Sequence, residues 1–182
     1  MKQLNLFNNN QLKKANHPEF FMSKDELLQW KQRVYDYQQK ALNLKIKQQT
    51  LFDLIPTHYD ADLINPFTLT RYSSLFYRMP ETGDKYLIYF IIDDSLPIVL
   101  YVGETMQSAK QRWSNHDCKK YIMSYKQLHR KHNLPNAVNA SFWFETPRIR
   151  KHRLQLETDL ILKFRSPFNK ECWSYWGQPF GK

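Results

Sequence analysis

Glu157 stands where a carboxylate is out of place. In the stretch "RLQLETDLILKF", Leu154, Leu160, Ile161 and Phe164 mark an apolar helical stripe, and Glu157 falls three residues after Leu154 and four before Ile161. Burying an unpaired carboxylate costs several kcal/mol, so the position calls for a metal or a cation, the plain alternative being a salt bridge to a nearby arginine. Arg112 and His116 of "QRWSNH" stand four apart, which places a guanidinium and an imidazole on one helix face. Tyr89 and Tyr101 each lie near the end of a strand-like run, the second followed by Val102 and Gly103. Two aromatics on paired strands ordinarily fill space across the ladder. Together, however, phenols, a guanidinium, an imidazole and a carboxylate supply a base, a phosphate clamp and a metal ligand, the inventory for opening a phosphodiester.

Those groups need elements to bring them together. Residues 86–92 and 98–103 are rich in β-branched and aromatic side chains around "DDSLP", which predicts a hairpin. Two helices are expected over 106–117 and 119–132, a third strand at "ASFWFE" (140–145), and a last helix from about Pro147 to Phe164, ended by "SPFN". This order predicts a small α+β domain with a three-stranded antiparallel sheet flanked by helices. Ahead of it, Ser23 and Glu26 of "SKDE" form a capping box. The helix it opens carries Leu27, Trp30, Val34, Tyr37, Ala41 and Leu44 on one stripe, with Lys and Gln opposite. Between Gln48 and Pro80 the periodicity fades, and Pro56, Pro66 and Pro80 indicate a connector lying over the next domain. The Asn-, Gln- and Lys-rich residues 5–18 read as a mobile tail. The expected division is therefore a tail over 1–22, an N-terminal helix and connector over 23–80, and the α+β domain over 81–182.

Lys and Arg number 27 against 17 Asp and Glu, a formal charge of +10, which favours a polyanionic partner and above all nucleic acid. Lys110, Lys119, Lys120, Lys126, Arg130 and Lys131, with Arg148, Arg150, Lys151 and Arg153 of "RIRKHR", are the expected phosphate-contacting surface, which positions DNA without reading its sequence. Cys118 and Cys172 lack a CxxC spacing and are read as free thiols of a reducing cytoplasm. No apolar run approaches the ~20 residues of a membrane span, and "MKQLNLFNNN" lacks the apolar stretch of a signal peptide. The expectation is a cytoplasmic protein that meets no membrane. His116, Cys118, His129 and His132 lack the ligand spacing of a zinc site. Trp173, Trp176 and Phe180 near the C-terminus are expected to seal a core.

"LIY" at 87–89, "YVG" at 101–103, "RW" and then His116, Glu157, and "SPFN" ending in Asn169 together resemble the GIY-YIG nuclease family over residues 86–169. The resemblance implies a metal-dependent endonuclease acting on DNA, with Glu157 holding one divalent ion, Mg²⁺ or Mn²⁺, which suits hard oxygen ligands. It implies Tyr89 as general base. A phenol of pKa ~10 needs neighbouring positive charge for that work. Arg112 would clamp the phosphate, Tyr101 would hydrogen-bond the nucleophile or phosphate, and His116 would assist. Gly103 would let the DNA backbone come close, and Asn169 would brace the site. The chain departs from the family at Leu87, which stands where the family has glycine, so a shifted strand is expected there. No lysine lies just beyond Tyr89, which leaves base activation to Arg112, His116 or metal.

"QLNLF", with Gln3, Leu4, Leu6 and Phe7, resembles the peptide by which bacterial repair and replication proteins dock on the sliding clamp, an anchor that orders on binding. Cleavage of branched or damaged DNA in repair or recombination is the expected use. A sequence-specific restriction-type enzyme and a catalytically silent DNA-binding module stand as alternatives, and the oligomeric state is left open.

Overall fold

Strand β1 (Leu87–Asp93) is buried along its whole length, so both faces of its sheet have to be covered. It pairs antiparallel with β2 (Ile98–Thr105) on one side and with β3 (Val138–Trp143) on the other, giving the order β2-β1-β3. The computed structural model describes residues 22–43, 60–72, 86–105 and 118–180. Leu87, Tyr89, Ile91 and Leu100 face one layer, where they pack with Leu27, Trp30 and Val34 of α1 (Lys24–Asn43) and Ile122, Tyr125 and Leu128 of α2 (Cys118–Lys131). Ile88, Phe90, Ile92, Val99 and Val102 face the other, against Leu156, Leu160, Ile161 and Phe164 of α3 (Arg150–Phe164). The expected three-stranded antiparallel α+β architecture, with an N-terminal helix, is the one observed.

Local boundaries differ from expectation for physical reasons. β3 begins two residues before "ASFWFE", because the amide of Asp94 bonds the carbonyl of Ala137 and the Asn139 side chain bonds Asp94 Oδ2, so polar residues carry the ladder. Phe144 lies past its end, exposed. Pro147 precedes α3, whose first residue is Arg150. The ladder runs regularly through Leu87↔Thr105, and the one irregularity of the β1–β2 ladder lies between Ile91 and Ile92. The shift expected at Leu87 is therefore absent: its side chain is fully buried in the layer of α1 and α2.

Helix α1 starts at the capping box read from the sequence. The Ser23 amide donates to Glu26 Oε2 at 2.7 Å and the Glu26 amide to Ser23 Oγ at 3.2 Å. Its buried seam keeps Leu27, Trp30 and Val34 of the predicted stripe but then takes in polar residues, and Leu44 lies outside the described residues. Lys31 and Gln38 are buried, while Tyr37 and Ala41 are half-exposed. Lys31 Nζ donates to Asp93 Oδ2 at 2.8 Å and Ser95 Oγ at 3.1 Å, and lies 3.2 Å from His129 Nε2. Tyr125 Oη donates to the same Asp93 oxygen at 2.5 Å. A buried charge is tolerated only when paired and hydrogen-bonded in this way.

Gln38 serves the outer edge of the sheet. Its Nε2 donates to the carbonyls of Val99 and Phe164, both at 2.9 Å, and its Oε1 accepts from the Val99 amide at 2.7 Å. Further along the same edge the Phe168 amide bonds the Leu100 carbonyl. Asn169 spans Val102, accepting from its amide and donating to its carbonyl, each at 2.9 Å. Unpaired strand edges invite association with other chains, and here chain segments far apart in sequence occupy one.

Residues 60–72 hold to the domain as well. Tyr72 bridges to Ala140 at the free side of β3, and Arg71 binds the Asp94 carboxylate and the carbonyls of Pro66, Phe67 and Leu69. Both cysteines are buried. Burial, with a contribution from Glu171 and against Arg165, pushes the Cys172 thiol up to about 12. No helix among the described residues is long and apolar enough to cross a membrane.

Candidate active site

Four consecutive residues of β2, Tyr101 to Glu104, form the platform on which Tyr89, Glu157 and Asn169 meet. At the usual rise of a strand they span roughly 10 Å. Gly103 pairs with Tyr89 in the ladder. The Tyr89 ring lies across it: a Cβ at position 103 would overlap Tyr89 Cζ and come within 2.5 Å of its Oη and 2.8 Å of Tyr101 Cε1. The two phenol rings stack with centroids 5.9 Å apart and planes 30° apart. Glycine is needed at 103 to admit these rings. Tyr89 is 1 % exposed, whereas Tyr101 is half-buried.

Asn169 fixes the platform from its outer edge through Val102, and Ser166 Oγ donates to Asn169 Oδ1 at 2.7 Å. Glu157 arrives at the same edge one step further, its Oε1 accepting from the Glu104 amide at 3.0 Å. Glu157 is half-buried and flanks the seam of α3, because the buried positions there are Arg153, Leu156, Leu160, Ile161 and Phe164, with Leu154 only partly covered. Glu104 and Arg153 were not singled out together by sequence reading. The Arg153 Nε donates to Glu104 Oε2 at 2.9 Å, a pair with the guanidinium fully buried.

Arg153 is thereby corrected: counted from the sequence among the phosphate-contacting residues, it is spent inside the fold. The remaining basic residues that are described do not make one surface. Lys119, Lys120, Arg130 and Lys131 belong to α2 and Arg148, Arg150 and Lys151 to the start of α3 and the residues before it, and the two helices cover opposite faces of the sheet. Arg130 and Lys131 follow His129 at the Asp93 end of β1, roughly 13 Å along the strand from Tyr89 at the usual rise. Lys120, Arg130, Lys131, Arg148, Arg150 and Lys151 are exposed. His129 is taken up by the Tyr125 carbonyl, 2.8 Å from Nδ1, and by Lys31. Lys110, Arg112, His116 and the peptide Gln3, Leu4, Leu6 and Phe7 lie outside the described residues.

Residues 85–171 match the model of the GIY-YIG catalytic domain. This segment is a GIY-YIG domain. The match takes in β1, β2, α2, β3 and α3 together with Asn169, and leaves α1 and residues 60–72 outside it. The domain is one of nucleases, enzymes that hydrolyse the backbone of DNA. No curated protein and no solved structure gives a match.

The donor set at the edge of the GIY-YIG domain consists of oxygen. Glu157 offers a carboxylate beside the backbone of Glu104, and no group of three or more His, Cys, Asp or Glu side chains stands ready for a metal among the described residues. That composition fits Mg²⁺, which keeps several waters and binds through one or two carboxylates plus substrate phosphate.

Proposed function

We propose that this chain is a divalent-metal-dependent endonuclease that hydrolyses phosphodiester bonds in DNA, with its site on residues 101–104. The observation that carries the reading is the arrival of Tyr89, Tyr101, Glu157 and Asn169 at this one stretch of β2. Glu157 would hold the ion, which when bound polarises the scissile phosphate and stabilises the leaving oxygen. Of the two phenols Tyr101 is the one that reaches the surface, so we assign it the contact with the attacking water. Tyr89, stacked against it, sets its position. The sequence had given the base role to Tyr89, and burial is the reason for the exchange. As the water oxygen attacks phosphorus its proton passes to the phenolate, the bond to the leaving oxygen opens, and Arg112 and His116 serve the phosphate and the proton transfers. Arg112 is the cation that would favour the phenolate and offset the charge developing on phosphorus. Asn169 keeps the platform straight.

Branched or damaged DNA is the proposed substrate, and Gln3 to Phe7 the anchor to a sliding clamp. The test incubates wild type, Glu157→Ala, Arg112→Ala, Tyr89→Phe and Tyr101→Phe with plasmid, single-stranded and branched DNA, in Mg²⁺, Mn²⁺ or chelator. General-base work is worth about 10²–10⁴-fold, so Tyr101→Phe is expected to lose that much and Tyr89→Phe less. Glu157→Ala and Arg112→Ala are expected to bind without cutting. Inactivity of wild type under every condition would instead mean a silent DNA-binding module, and discrete plasmid bands a sequence-specific enzyme. A variant lacking residues 1–8 is expected to cut naked DNA normally and to fail in a clamp pull-down; retained pull-down removes the anchor.

A further inference from the structure

We infer that Arg153 is a positioning residue for the Glu157 carboxylate, acting through Glu104; the inference rests on the reading that Glu157 holds the metal. Arg153 lies one turn before Glu157 on α3, and residues four apart share a helix face. Its guanidinium is fully buried. The Nε holds Glu104 Oε2 at 2.9 Å, while Nη1 donates to the carbonyls of Pro147 at 3.0 Å and Arg148 at 3.2 Å. The guanidinium carbon sits 4.3 Å from the centre of the Tyr86 ring, and Nη2 is buried without a hydrogen-bond partner. The same Glu104 gives its amide to Glu157 Oε1 at 3.0 Å.

Glu104 is therefore tied to α3 twice, by its side chain to residue 153 and by its main chain to residue 157. One tie would leave the helix free to pivot about it. Two, one turn apart, fix both the rotation of α3 and its slide along the end of β2, and with them where the Glu157 oxygens stand. A well-packed apolar pair would hold helix to strand at least as firmly as a buried ion pair, so cohesion alone does not call for a buried arginine here. Lysine keeps the charge but cannot reproduce the fork that binds Glu104 and the two carbonyls together. Groups behind a metal ligand are commonly worth about 10–100-fold in metal affinity or activity.

The full chain is compared as wild type, Glu157→Ala, Arg153→Lys, and the double variant Arg153→Met with Glu104→Met, which removes both charges at once and so leaves neither stranded. Mn²⁺ affinity is read by electron paramagnetic resonance of the free ion, alongside the metal dependence of DNA cleavage, DNA affinity in chelator, and thermal unfolding. Both Arg153 variants are expected to bind Mn²⁺ about 10–100-fold more weakly, to need correspondingly more metal for cleavage, and to hold DNA in chelator as wild type does. Wild-type Mn²⁺ affinity and metal dependence in both variants, with Glu157→Ala inactive, overturn the positioning role and leave the nuclease reading standing. Failure of both variants to fold also overturns it, because the pair is then structural. Wild-type Mn²⁺ affinity and cleavage in Glu157→Ala overturn the reading that Glu157 holds the metal, and the positioning role with it.

Discussion

Gly103 faces Tyr89 across the ladder, and its hydrogen is all that separates the strand backbone from the tip of that ring. The crowding comes from side-chain atoms of a ring held in the core, which cannot swing aside as an exposed chain would. Gly103→Ala is expected to destabilise the fold by about 1–3 kcal/mol, the usual range for overpacking, and to displace both phenols. A lowered urea midpoint together with lost cleavage is the expected result; a midpoint and rate equal to wild type would mean that the rings pack elsewhere. At this scale Glu157 drew notice by its place beside an apolar stripe, whereas the tyrosines and Asn169 were legible only through the family resemblance, because aromatics on paired strands ordinarily fill space. Arg153 hid in a basic run: "RIRKHR" gives no local sign that one of its arginines turns inward. The signal that could have found it is its place four residues before Glu157, on the same face.

Along β2, edge protection and site construction are one arrangement. Gln38, Phe168, Asn169 and Glu157 occupy successive backbone groups from Val99 to Glu104. Replacing Gln38 by leucine keeps the volume roughly constant but strands the Val99 amide and carbonyl and the Phe164 carbonyl. Each buried polar group left unpaired costs roughly 1–3 kcal/mol, so Gln38→Leu is expected to lose several kcal/mol by urea denaturation, whereas the exposed Gln32→Leu stays near wild type. Equal midpoints for the two would show that the amide pairing contributes nothing. Elements of this kind are legible in sequence by existence and type, because periodicity marks helix and strand. The seam of α1 was legible only in part: Leu27, Trp30 and Val34 follow the stripe, whereas Lys31 and Gln38 look like solvent-facing residues until the sheet supplies Asp93 and Val99 as partners.

Taken as a whole, the molecule depends on a buried charged group far from the chemistry. Burial pushes the Asp93 carboxyl upward, but the Lys31 ammonium and hydrogen bonds from Lys31, Ser95 and Tyr125 outweigh it and hold it below its ordinary 3.8. Burial lowers the His129 imidazole below its ordinary 6.5, with Lys31 and His132 adding to the effect and the Tyr125 backbone and Asp93 opposing it. In both cases the unfolded chain takes up a proton more readily than the folded one, so stability rises with pH across the interval. The His129 contribution is complete above pH 6.5 and is lost as pH falls below it; that of Asp93 follows below 3.8. Urea midpoints are expected to be level just above pH 6.5 and to decline below it, with the first part of the decline removed in His129→Gln. A wild-type profile that stays level down to pH 5 would contradict the account.

The family segment begins at residue 85, yet Lys31 and Gln38 reach into it from α1 to neutralise Asp93 and close the rim of β2. A chimaera that borrows only the matched segment would inherit an acid without its counter-ion and a strand open to neighbours. The smallest transplantable piece of this fold starts at the Ser23 cap.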